Sequence, residues 1–227
     1  WLREKGISKA ATKADRIAAE GLCDVAVDGN AAVILELNSE TDFVAKNADF
    51  QKLLASITNA VLTSGASNLE EALQAQLNGK TINDVVVEAT FSIGEKISLR
   101  RVTRFEKTDS QNFGAYKHMG GKIVSLVVLE GGTEEAAKDI SMHVAAINPK
   151  YKDQSEISEE VIAHETQVLT NEALNEGKPA NIVEKMVKGR LNKYLKDICL
   201  VNQPFVKDPD LTVQKFVATA SSNMSVN

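Results

Sequence analysis

The order strand, glycine turn, strand, amphipathic helix occurs twice in this chain, about 90 residues apart. A returning order of elements constrains a fold more than any single motif. The first copy runs from an apolar stretch at 22–28, through Asp28-Gly29-Asn30, into Ala31-Ala32-Val33-Ile34-Leu35-Glu36-Leu37. Strand-like runs on either side of Asp-Gly predict a β-hairpin. Phe50, Leu53, Leu54, Ile57 and Val61 then recur at helical spacing. The second copy runs from 113–118 through Met119-Gly120-Gly121 into Ile123-Val124-Ser125-Leu126-Val127-Val128-Leu129. Ala137, Ile140, Val144 and Ile147 follow at helical spacing, and Pro149 closes the segment. Between the copies, 85–87 and 97–102 read as strands on either side of Gly94. Identity between the copies is thin, so turns and element order carry the reading. It is an α+β fold with two structural repeats of an antiparallel β-hairpin plus helices.

Residues 155–198 break this plan. Their first half holds Glu156, Glu159, Glu160, Glu165, Glu172 and Glu176; their second holds Lys185, Lys188, Arg190, Lys193 and Lys196. Gly177-Lys178-Pro179 between them supplies a helix stop followed by a helix start. Apolar stripes run through Ile157, Val161, Val168 and Leu169, and through Ile182, Met186, Leu191, Tyr194 and Ile198. An inserted antiparallel helical hairpin (coiled coil), held by charge attraction along its length, is expected; two core-packed helices are the plainer alternative. The basic, Ala-rich residues 1–20 read as a helical connector ending at Gly21. The organisation expected is therefore 1–20 connector, 21–112 first repeat, 113–154 second repeat, 155–198 helical hairpin, and 199–227 the closing part of the second repeat. The chain opens on Trp1 without a starting Met, which reads as a fragment or processed form, and its last residues read as a strand cut short.

Lys+Arg 26 against Asp+Glu 31 leaves a net charge of −5, opposite to the balance of a general nucleic-acid binder. No apolar run approaches the ~20 residues of a membrane span. Cys23 and Cys199 form neither a metal spacing nor a disulfide framework, which fits a reduced, cytoplasmic setting. With His118, His143 and His164 as the only histidines, and no P-loop, nucleophile elbow or Cys-x-x-Cys, an enzyme lacks its parts. Gly120-Gly121 and Gly131-Gly132 serve as turn residues better than as a phosphate cradle. The run at 100–107 (Arg100, Arg101, Arg104, Lys107) reads as a solvated strand end, with phosphate contact as the alternative. Glu40 and Asp42 as an acid–base pair is weaker still, since two acids on one loop are commonplace.

One loop is richer than a connection requires: Asn38-Ser39-Glu40-Thr41-Asp42-Phe43-Val44-Ala45-Lys46-Asn47. Phe43 precedes Phe50 by seven residues, so a continuous helix would put both rings on one core face. Lys46 and Asn47 interrupt that stripe, and an aromatic on a polar loop is also what a contact outside the chain requires. Both readings stand on composition alone. His143 sits at the edge of its helix's apolar face, where a satisfied core histidine is the ordinary outcome. Met142, Ala145 and Ala146 make the other face apolar too, so a partner is the alternative cover.

Thr41-Asp42-Phe43-Val44-Ala45-Lys46 resembles the central motif of the bacterial translation elongation factor Ts family. Ile93-Gly94-Glu95-Lys96-Ile97-Ser98-Leu99-Arg100-Arg101-Val102 is similar to the family's strand segment. Ile140-Ser141-Met142-His143-Val144-Ala145-Ala146 is similar to its second-repeat helix, and Gln203-Pro204-Phe205-Val206 to the strand after its coiled coil. The resemblance implies a duplicated α+β core with a coiled coil inserted in the second repeat. It implies a guanine-nucleotide exchange factor for elongation factor Tu, with no catalytic chemistry and no cofactor of its own. Asp42 and Phe43, framed by Thr41 and Val44, would enter the partner's GTPase domain and dislodge the Mg²⁺ that holds GDP. Ile123, Met142 and His143 are the further partner contacts expected, with Val124 standing where many relatives have Gly. The family's N-terminal helical module, expected ahead of Trp1, and a strand expected after Val226 are not in this sequence. The resemblance further implies a cytoplasmic protein with no direct nucleic-acid or membrane contact, and it admits a two-to-two complex. The competing expectation is a translation-associated RNA-binding or protein-interaction module without exchange activity.

Overall fold

The computed structural model describes Thr12, Lys13 and residues 15–220. Strands β1 (Glu20–Asp28) and β2 (Ala31–Ser39) pair antiparallel around the two-residue turn Gly29-Asn30, with Asp28 opposite Ala31. β5 (Ser98–Glu106) adds to the other edge of β2, giving a three-stranded sheet in the order β1-β2-β5. Between β2 and β5 lie α1 (Asp42–Ala45), α2 (Ala48–Ser64), α3 (Leu69–Gln74), the short pair β3 (Gln76–Leu77) and β4 (Lys80–Thr81), and α4 (Ile82–Ile93). Val33, Leu35 and Leu37 of β2 pack with Phe50, Leu54, Ile57 and Val61 of α2 in one buried cluster. Ala75, just past the end of α3, and Ile82, Val86 and Ala89 of α4 join it.

The second half opens with the hairpin of β6 (Gln111–His118) and β7 (Ile123–Glu130), joined by a 3₁₀ turn at Met119–Gly121, and continues into α5 (Glu134–Ile147). Its own cluster unites Val127 and Leu129 of β7 and Ala136, Ala137 and Ile140 of α5 with residues far along the chain. Those are Leu200 in a 3₁₀ turn (Leu200–Asn202), Phe205 in β8 (Pro204–Phe205), and Val213 and Val217 in α8 (Val213–Ala220), with β9 (Asp208–Thr212) pairing β8 between them. Phe205 stacks on Phe216 with ring centroids 4.1 Å apart. Gly121 (φ +106°) brings the second hairpin against the first: a Cβ there would meet the Cys23 carbonyl oxygen at 2.4 Å. Ion pairs Lys122–Glu20 and Lys117–Asp24 flank the approach. The chain is thus α+β, with antiparallel sheets throughout.

Between the parts of this second cluster the chain leaves as α6 (Glu159–Asn175) and returns as α7 (Ala180–Ile198). The pair runs antiparallel: Leu169 and Ala173 meet Val183 and Val187 near the tip, while Ile157 and Val161 meet Leu195 and Ile198 near the base. At the base, Lys150 N–H donates to the Ile198 carbonyl and Leu200 N–H to that of Tyr151, fastening the excursion to the second half.

Three expectations fail. Residues 85–87 are not a strand but the middle of α4. Thr81 caps that helix by accepting from Asp84 N–H, and burial of Ile82, Val86 and Ala89 at 3.6 spacing outweighs the strand preference of three consecutive valines. Gly21 does not end a helix: Thr12, Lys13 and 15–19 form turns, a bend and irregular chain, and Gly21 (φ +137°) lies inside β1. Glycine is required there because a Cβ would meet the Leu37 carbonyl oxygen at 2.3 Å. The remainder of the 1–20 connector, and the end of the chain after Ala220, lie outside the described residues. Charge attraction along the helical pair is also not found: Arg190–Glu176 is the single ion pair joining α6 to α7 among the described residues. Apolar side chains, not charges, zip the pair.

Candidate functional site

The exposed turn begins where β2 runs out of partners. Ser39 Oγ donates to the Thr41 carbonyl at 2.9 Å, turning the chain away from the sheet. Thr41 then caps α1, its hydroxyl accepting from Val44 N–H at 3.4 Å. α1 is only four residues long and ends because Asn47 starts a new helix, accepting from Asp49 N–H at 2.7 Å. That break answers the question of the two rings. Phe50, inside α2, is wholly buried, whereas Phe43, on α1, is 81% exposed. Ala45 is buried and Val44 packs partly against the first cluster, so one side of the turn is moored and the opposite side carries the bare ring.

The charged groups around Phe43 are held apart. Lys46 Nζ donates to Asp42 Oδ2 at 2.7 Å, one helical turn away, and this hydrogen bond holds the Asp42 carboxyl below its ordinary range. Glu40 faces the other way: Lys96 N–H donates to its Oε1 at 2.6 Å, and that bond, more than nearby Arg16, lowers its carboxyl. Glu40 and Asp42 therefore serve different partners and form no acid–base pair. Glu95, on the loop between α4 and β5, accepts from both Thr41 N–H (3.0 Å, Oε2) and Thr41 Oγ1–H (2.7 Å, Oε1). Nothing in the sequence linked Glu95 to Thr41, since the two stand 54 residues apart; only the strand pairing of β2 with β5 brings them together.

The other expected site residues fall into two groups. The Lys122 charge adds to the lowering of the Asp42 carboxyl, and Met119 and Ile123 beside Lys122 are exposed. Val124 is half-buried. Met142 is half-buried on α5, but His143 is turned wholly inward. Val206 N–H donates to His143 Nδ1 at 3.1 Å, which leaves the proton on Nε2 to donate to Gln203 Oε1 at 2.9 Å. Gln203 Nε2 then donates to the Asp197 carbonyl at 2.7 Å, at the end of α7. Burial pushes the His143 pKa down, against the Gln203 hydrogen bond. The basic run is internally engaged: Arg100 and Arg101 grip Glu36, Arg104 pairs with Glu106 and the Leu62 carbonyl, and Lys107 bonds Asn30. Among the described residues, no cluster of three or more His, Cys, Asp or Glu could hold a metal ion, and no helix is long and apolar enough to cross a membrane.

A profile described as elongation factor TS matches residues 40–227. Elongation factor Ts of Limosilactobacillus fermentum is 55% identical over 217 residues, covering 96% of this chain and 74% of that relative. The chain belongs to the elongation factor Ts family. Family membership places it in protein biosynthesis, as a translation elongation factor. The profile begins at Glu40, so the exposed turn stands at the start of the matched region and Glu95 and His143 lie within it.

Proposed function

We propose that this chain is a guanine-nucleotide exchange factor for elongation factor Tu, acting through the turn at Thr41–Val44. Family membership supports the partner, and the observation that carries the mechanism is Phe43: a large apolar ring 81% exposed, on a turn moored on its inner side. A rigid aromatic with no role in its own core is the kind of anchor that protein interfaces bury. In this reading Phe43 enters the GTPase domain as a wedge. Asp42, acceptor-only when ionised, competes for donors that steady the Mg²⁺ site of the partner. An octahedral Mg²⁺ shell tolerates little displacement, so a small push on its supports weakens GDP. Thr41 and Val44 hold the turn, while Ile123 and Met142 extend the contact. His143, being buried, acts from behind that surface by holding β8 and the end of α7 in place. The chain needs no metal, nucleotide or catalytic group of its own, and it works in the cytoplasm. No nucleic acid or membrane takes part, and a two-to-two complex is one stoichiometry open to it.

The same reading extends to architecture. Residues 21–112 and 113–154 are two repeats of one α+β unit, 155–198 is a coiled coil inserted in the second, and 199–227 closes that repeat. The two separate buried clusters support it, since one is built wholly from the first unit and the other from both parts of the second. The test is release of fluorescent GDP from elongation factor Tu. Release accelerates when the chain is added, most at low Mg²⁺; an unchanged rate at saturating chain would sink the proposal.

A further inference from the structure

The exposed turn has a problem that family membership does not solve. An isolated four-residue helix has no stability of its own, yet a wedge works only if its direction is fixed before the partner arrives. Ala45 and Val44 moor the C-terminal side of α1 in the first cluster. The N-terminal side depends on Thr41: Ser39 Oγ holds its carbonyl at 2.9 Å, and both of its donors run to one carboxylate. Glu95 takes the backbone N–H at 3.0 Å and the hydroxyl proton at 2.7 Å, one on each oxygen. By drawing the hydroxyl proton away, Glu95 leaves an oxygen lone pair directed at Val44 N–H, and a hydroxyl that donates to an anion accepts more strongly. The grip is reciprocal across the same gap, because Glu40 accepts Lys96 N–H at 2.6 Å. Neighbouring residues of one loop thus hold neighbouring residues of the other.

We propose that Glu95 is a positioning residue for exchange: it locks the N-terminal end of the Phe43 turn in the conformation that engages the partner. This inference rests on the exchange reading above. A positioning role has a signature distinct from that of the wedge. Loss of the lock leaves the turn competent only part of the time, which raises the concentration needed without changing what the engaged turn does. The chain is titrated against elongation factor Tu loaded with fluorescent GDP, and half-saturating concentration and plateau rate are read separately. With Glu95→Ala the half-saturating concentration rises about tenfold, as for a competent fraction of about one tenth, while the plateau stays within about twofold. Glu95→Gln, which keeps one acceptor oxygen, falls between the two. Thr41→Val removes the hydroxyl from the other side and raises the same quantity, which covers the case in which Glu95→Ala does not fold. Amide hydrogen exchange gives a readout free of the partner: Thr41 N–H loses protection in Glu95→Ala while the amides of α2 keep theirs. Unchanged half-saturation, or a Thr41 amide as protected as in the parent chain, overturns the inference. Phe43→Ala separates the two levels. If it lowers the plateau while Glu95→Ala behaves as the parent, the lock alone is wrong. If Phe43→Ala also releases GDP at the parent rate, the wedge role of the turn falls, and the role of Glu95 with it; if the parent chain itself leaves the release rate unchanged, the exchange reading falls.

Discussion

A ring that is four-fifths exposed adds nothing to the core of its own domain, so its removal leaves no cavity to refill. Phe43→Ala is therefore expected to shift stability by no more than about 0.5 kcal/mol, whereas Phe50→Ala, deleting a wholly buried ring, costs about 3–5 kcal/mol. Thermal melts of the two variants check this, and a large drop for Phe43→Ala would show that the ring packs at home. The seven-residue spacing was legible in the sequence, and so was the interruption at Lys46 and Asn47. What no composition could decide was whether the helix restarts there, which depends on the Asn47 cap. His143 shows the converse. Its burial was the ordinary expectation for a helical histidine, but its partners at Gln203 and Val206 lie about sixty residues on and invisible to local pattern. The consequence is a pH dependence with a definite sign. The folded pKa lies below the unfolded value of about 6.5, so the unfolded chain binds the extra proton first. Stability is fully present above about 6.5 and is lost as pH falls through the lower folded value. The proton would have to enter at Nδ1, against the donating Val206 N–H. Melting temperature should fall between pH 7.5 and 5.5, and His143→Gln should flatten that slope. An equal slope in both chains would assign the titration elsewhere.

The elements were readable wherever one periodicity ruled. The β1–β2 and β6–β7 hairpins announced themselves by glycine turns between apolar runs, and α2 and α5 by an unbroken apolar stripe. α4 was not readable, because Val85-Val86-Val87 favours a strand locally while Ile82, Val86 and Ala89 favour a helix; the tertiary surface beneath it decides. The α6–α7 pair misled differently. Its charge segregation is real in sequence, but those side chains point to solvent, where an ion pair gains little over water. Its stability lies in two apolar clusters, one toward the tip and one at the base. The base cluster and the bonds at Lys150, Tyr151 and Gln203 tie it to the second half. Replacing 166–187 by a short Gly/Ser turn removes the tip cluster and nothing of the two core clusters. The main melting transition should stay single and move by less than about 4 °C, equivalent to roughly 1 kcal/mol in a chain of this size. Cutting instead through 155–198 takes away the Asp197 and Ile198 carbonyls that Gln203 and Lys150 use, and should cost more. A broadened transition after the tip cut would show that the helical pair belongs to the core.

Exchange without chemistry is a statement about affinities. If the chain speeds GDP release, it binds nucleotide-free elongation factor Tu more tightly than the GDP form, and GDP must weaken the chain by the same factor that the chain weakens GDP. A ligand that binds two states equally shifts neither, however tightly it holds. The geometry here supplies a source for the difference. The mooring contacts of α1 are internal to the chain, and on the proposed reading the exposed ring of Phe43 would find its pocket only if the partner's metal site gave way. The preference for the empty partner should therefore reside in Phe43 and Asp42, and general attachment in the remaining contact surface around Ile123 and Met142. Binding of the chain to nucleotide-free and to Mg²⁺·GDP-loaded elongation factor Tu, measured by titration calorimetry, should differ by at least about tenfold, which is 1.4 kcal/mol of coupling. Phe43→Ala should bring the two affinities together chiefly by weakening the nucleotide-free complex, because the lost contact is one made only in that state. Should the parent chain hold both forms with equal affinity, it is a passive ligand of the factor, and displacement of Mg²⁺ by the turn is wrong. Should Phe43→Ala weaken both forms alike, the ring is a plain anchor and the discrimination lies in another part of the surface.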